Sequence, residues 1–177
     1  MNRFAALAVA ASIATLGLSG CQTAKSQANC PVANILASAA SMTEFKAGME
    51  GDPSGEIYSI RLTGVQSSCD FDKDEGTTES DVQLTFRATR APTGDVVSHA
   101  VPYFVASLQD GNTVLNKQIL AERFSFGPGE SEVTFSASVP TTLIKLANGK
   151  KPYDYSLLTG LQLTRQQMDF NAGRHTP

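Results

Sequence analysis

The chain has 177 residues, 41% hydrophobic and 18% charged, with a formal net charge of −3 and no tryptophan. That length suits one domain with a proper core. The mild acidity gives no electrostatic case for nucleic acid, and beyond the first twenty residues no apolar run approaches the roughly 20 residues that a membrane-spanning helix needs.

Residues 1–20 have the three parts of a secretory signal. Asn2 and Arg3 make a short positive start, Phe4 to Leu16 is an apolar core broken only by Ser12 and Thr15, and Leu18-Ser19-Gly20 supplies small residues. A cysteine follows at once. Leu18-Ser19-Gly20-Cys21 resembles the lipobox of bacterial lipoproteins, matching over all four residues. The resemblance implies cleavage before Cys21 and transfer of fatty-acyl groups such as palmitate to its thiol. Two or more acyl chains hold a protein stably, each buried methylene adding about 0.8 kcal/mol. In many such lipoproteins an Asp after the cysteine favours inner-membrane retention, so Gln22 implies the outer membrane, with the domain facing the periplasm.

Cleavage leaves 177 − 20 = 157 residues, and since Arg3 is the only charge lost, 13 basic residues against 17 acidic, or −4. With Cys21 assigned to the anchor, Cys30 and Cys69 remain. Two thiols exported to an oxidising compartment have one possible pairing, so a Cys30–Cys69 disulfide is expected. In the loop-entropy account a loop of this size contributes about 4 kcal/mol.

Residues 21–29 form the lipidated terminus and a small, polar tether, and residues 22–29 reach only about 27 Å fully extended at roughly 3.4 Å per residue. Pro31–Leu36 reads as a first or edge strand, Ala37–Phe45 stays open between helical turn and strand, and Gly48–Gly55 is a loop. Period-two patterning then takes over. Tyr58, Ile60 and Leu62 share a face in Glu56–Val65, and Val82, Leu84, Phe86 and Ala88 do so in Asp81–Ala91. Val101–Leu108 is apolar on both faces and reads as a central strand, with Pro102 breaking its start. Asp110-Gly111 signals a hairpin into Thr113–Ala121, where Lys117 shares a face with Leu115 and Ile119 unless a bulge intervenes.

Gly127-Pro128-Gly129 is a turn, Glu132–Val139 alternates until Pro140, and Thr141–Ala147 reads as a short helical crossover. Tyr153–Leu163 places Tyr153, Tyr155, Leu157, Leu161 and Leu163 on one face, and residues 166–177 form a polar, frayed tail. Residues 30–165 are thus expected to form one antiparallel β-sandwich of about seven strands. The strand count resembles immunoglobulin-like or fibronectin-like domains.

Chemistry-bearing residues are few. Asp70, Asp72 and Asp74 alternate through the acidic run Asp70–Gly76, in a pattern able to meet calcium. As an EF-hand loop it departs in its sixth and twelfth positions, Glu75 and Asp81. Of the two histidines, His99 reads as a surface or capping residue and His175 lies in the tail. No Gly-x-Ser-x-Gly elbow, zinc-spaced Cys/His cluster or glycine-rich phosphate loop occurs. Aromatic residues read as core, and Phe124-Ser125-Phe126 is a partner surface only if exposed.

The expectation is a non-catalytic envelope lipoprotein with no cofactor and no nucleic-acid partner, held to the membrane by its lipid and working through an envelope protein partner. The general character is similar to that of other bacterial envelope lipoproteins. The alternative is a small-ligand- or calcium-binding module using residues 70–76.

Overall fold

The computed structural model describes residues 29–174. The expectations for residues 1–28, including Cys21 and Gln22, and for His175 lie outside them. Two four-stranded sheets pack face to face as a β-sandwich. Sheet A runs in the order β1 (Val32–Ile35), β8 (Tyr155–Leu161), β5 (Val97–Gln109), β6 (Thr113–Phe126). Sheet B runs β2 (Ser41–Phe45), β3 (Glu56–Asp72), β4 (Thr77–Thr89), β7 (Glu132–Lys145). The strand count is eight, and the order differs from the immunoglobulin grouping of strands A, B, E and D against C, F and G. β1 pairs with β8 in parallel and all other pairs are antiparallel.

The alternating residues build the core. Ile60, Leu62, Leu84, Phe86 and Ala88 from sheet B meet Val101, Tyr103, Leu157 and Leu161 from sheet A, all buried. An aromatic chain runs through it. Phe86 stacks on Phe135 at 5.1 Å between ring centroids, Phe135 on Phe124 at 4.8 Å, and Phe124 meets Tyr58 edge-on at 5.4 Å. Phe124 and Phe126 are therefore buried core residues and not a partner surface.

The turns obey their residues. Asp110 and Gly111 both take positive φ, at 54° and 74°, as the central pair of a turn in which the Asn112 amide donates to the Gln109 carbonyl at 3.3 Å, within the three-residue connection 110–112. At the opposite end Arg90 stitches the crossovers. Its guanidinium donates to the carbonyls of Asp95 and Gly127, both at 2.9 Å, and lies 4.6 Å above the Phe126 ring.

Several expectations are corrected. Thr141–Lys145 is strand and no helical crossover. Val82 pairs with Val139 and Ser80 with Thr142, so Pro140 and Thr141 together oppose Asp81. This bulge on an edge strand leaves the proline without a ladder bond to make, and the strand passes through it. Pro102 does not break β5 either. Its carbonyl accepts from Gln162 at 2.9 Å, just where β8 stops pairing with β5, so its missing N–H falls at the end of that ladder.

A bulge does occur at Leu115, because Ser107 pairs with Asn116 and Leu108 with Val114. It leaves Leu115, Lys117 and Ile119 all exposed, and the residues directed inward are Leu120, Phe124 and Phe126. Ala37–Phe45 resolves into a single 3-10 turn, Ala37–Ala39, followed by β2. Tyr153 leaves the shared face and stands exposed in the 3-10 turn before β8.

The expected frayed tail is a helix, α1 (Arg165–Arg174). Thr164 Oγ1 accepts from the Gln167 amide at 3.2 Å while Gln167 Oε1 accepts from the Thr164 amide at 2.9 Å, a reciprocal capping box. Phe170 packs edge-on against Phe45 at 5.0 Å, and Asn171 donates to the Ser41 carbonyl at 2.8 Å. These contacts seat the helix on β2, the edge of sheet B.

Candidate interaction surfaces

Cys30 and Cys69 form the expected disulfide, with Cα atoms 5.6 Å apart. Cys69 lies within β3, because that strand runs on to Asp72. The bridge therefore joins the start of sheet A to the long strand of sheet B.

The acidic run forms the β3–β4 hairpin. Asp70 and Asp72 stand exposed on the outer side of β3, and Asp74 lies in the turn. Asp72 Oδ1 accepts from the amides of Asp74 and Glu75, at 2.8 and 3.0 Å, so this carboxylate serves the turn. Among the described residues no group of three His, Cys, Asp or Glu side chains is placed to hold a metal ion. The structure does not bring Asp70, Asp72 and Asp74 together as ligands.

His99 is not a surface or capping residue. β5 begins at Val97, two residues before it, so the alternation that buries Val101 and Tyr103 also turns His99 inward. Its ring lies 4.5 Å from Tyr58 and 5.5 Å from Phe124. Burial lowers its pKa below the ordinary histidine value, Arg90 adds to the lowering, and Glu44 opposes it. Burial also pushes the Tyr58 phenol up to about 12, with Glu44 adding to the shift.

A stability consequence follows for His99. Its unfolded form protonates near 6.5, above the folded value, so the unfolded chain binds more protons between the two. The stability this residue contributes is complete above about pH 6.5 and falls as pH drops through the folded pKa. Urea midpoints at pH 7.5 and 5.0 for the wild type and His99→Phe read this out. The wild type should lose more between the two pH values, and equal losses would remove His99 from the account.

The four sheet edges differ in how they are closed. β2 is covered by α1, and β1 is only four residues long. β6 is long but carries Lys117, Glu122 and Arg123 and the Leu115 bulge, devices that discourage strand pairing. β7 is paired only with β4. From Val133 to Val139 (Val-Thr-Phe-Ser-Ala-Ser-Val) this edge has no charge, no proline and no bulge. Thr134, Ser136 and Ser138 face outward, while Val133 and Phe135 are half-buried against the core. An unpaired edge without charge, proline or bulge leaves its main-chain N–H and C=O groups open to an added strand. Patterning located this strand, but its place as an edge follows from pairing at long range.

No protein-family model matches the chain, and no curated protein matches it.

Proposed function

We propose that the chain is a lipid-anchored envelope lipoprotein whose folded domain has no catalytic role and binds a protein partner by strand addition along β7. The lipobox Leu18-Ser19-Gly20-Cys21 supports the anchoring, and Gln22 favours the outer membrane with the domain in the periplasm. The observation that carries the contact mode is the uncharged, unpaired Val133–Val139 edge in a sandwich whose other edges are short, covered or charged. An extended segment placed there gains main-chain hydrogen bonds and covers the half-buried Val133 and Phe135.

The test is purification of the tagged full chain from gently solubilised membranes, beside a Thr134→Lys/Ser136→Lys variant. The wild type should bring a stoichiometric companion that the double variant loses. Both side chains point to solvent, so surface substitutions of this kind should change stability by about 0.5 kcal/mol or less. A clean monomer, or a companion indifferent to both lysines, would end the β7 reading. Separately, Cys21→Ser should move the protein from the membrane fraction to the soluble one.

A further inference from the structure

The outer face of sheet A is chemically unlike the outer face of sheet B. On sheet B the outward positions carry carboxylates at Asp70, Asp72, Glu79, Asp81 and Glu132. On sheet A the outward positions of all four strands carry none. Two of them are basic, Lys117 and Arg123, and both lie on β6. Around them the face is apolar. Phe104, Ala106 and Leu108 form a cluster of their own with Ala39, apart from the main core. Beyond that cluster apolar side chains stand in solvent, Val114 and Ile119 at 60% exposure and Leu115 at 46%. Between this face and α1 opens a groove of about 390 Å³ with Leu36 and Met168 on its walls.

We infer that this face of sheet A lies against a bilayer bearing anionic headgroups. An exposed apolar surface flanked by cations and free of carboxylates matches the acyl boundary beneath a negatively charged headgroup layer. Lys117 is placed for both parts. Its stem crosses the sheet to bring Nζ 4.5 Å above the Phe104 ring, and the ammonium also donates to Gln162 at 3.0 Å. The point of attachment agrees. The chain enters the fold at Cys30 and continues into β1, a strand of sheet A, and residues 22–29 separate Cys30 from Cys21. That segment spans at most about 27 Å. A lipid on Cys21 therefore keeps the Cys30–Cys69 end of the sandwich near the membrane, within reach of the outer face of sheet A, while β7 belongs to the opposite sheet. The placement by tether rests on the lipid-anchor reading, whereas the chemistry of the face does not.

The absence of tryptophan makes the test direct. A single indole is introduced by Ile119→Trp, with Leu115→Trp as a second reporter and Gln83→Trp, on the outer side of sheet B, as control. The full chains are purified from membranes, and the mass of the N-terminal peptide reports lipid on Cys21 independently. They are then reconstituted into vesicles of phosphatidylcholine and phosphatidylglycerol with brominated acyl chains. The indole of Ile119→Trp or Leu115→Trp should be quenched about threefold more than that of Gln83→Trp, because an indole at this face settles at the interface. Equal quenching of all three in lipidated protein overturns the proposal. If the peptide carries no lipid, the anchor reading fails alone, and sedimentation with the same vesicles decides: differential quenching in bound protein supports the lipid face, and no binding overturns it. Shielding that grows with protein concentration in the absence of vesicles identifies a second copy as the occupant and also overturns it.

Discussion

Cys30→Ala/Cys69→Ala is expected to lower the free energy of unfolding by about 4 kcal/mol and the melting temperature by roughly 8–16 °C. The pair closes a loop with a sequence separation of 39. In the loop-entropy account, freeing a loop of that length gives the unfolded chain conformations it does not have when bridged. The native side changes less. β1 still pairs with β8 at Val32 to Ile35, and Ala33 and Ile35 still pack on the core. A domain of this size has only about 5–15 kcal/mol in total, so the loss is a large fraction. Urea denaturation of the double variant beside the wild type measures it. A change below about 1 kcal/mol would show that the unfolded chain is not the state the bridge restrains.

Phe86→Ala is the second large effect, at about 3–5 kcal/mol. The Phe86 side chain is fully buried in the centre of sheet B. It stacks on Phe135 at 5.1 Å and lies 5.7 Å from Tyr103 of the opposite sheet. Truncation removes the ring's transfer free energy, leaves a cavity between two sheets that collapse only partly, and strips partners from two other aromatic rings. Phe104→Ala is the internal comparison. It lies on the outer face of sheet A in the small cluster with Ala39 and Leu108, where neighbours relax more easily. Phe86→Ala should be clearly the costlier of the two by equilibrium denaturation. The reverse order would move the organising core to the other face of sheet A.

The sandwich was legible because period-two alternation is a local property. Val82 through Ala88 announce their face without reference to the rest of the chain. The disulfide was legible by chemistry and count. What stayed hidden depends on pairing between distant strands. The strand through Pro140 reads as stopped until its pairing with β4 shows Pro140 and Thr141 bulged together opposite Asp81. β7 shows its alternation openly, but its status as an edge emerges only with the sheet order. His99 turns inward because β5 begins at Val97, a boundary that the apolar run starting at Val101 does not show. The C-terminal helix did carry a signal, Thr164-x-x-Gln167, but it stands in a polar segment whose few apolar residues show no helical face. Phe170 finds its ring partner on a strand more than a hundred residues earlier. The acidic hairpin shows the opposite error, since alternating aspartates suggest convergence and the strand pleat sends them outward to solvent.

The bridge has a mechanical meaning as well. Tension arriving from the residues before Cys30 meets a fork. One branch is β1, a four-residue strand that a pull on its end can peel away from β8. The other is the sulfur–sulfur bond, which hands the load to Cys69 inside β3, a strand of 17 residues laddered to β4 as far as Asp72. The covalent branch is the stiffer one and carries the force. β1 is thereby relieved of strain, and a tug on the leash is borne by the broad span of sheet B.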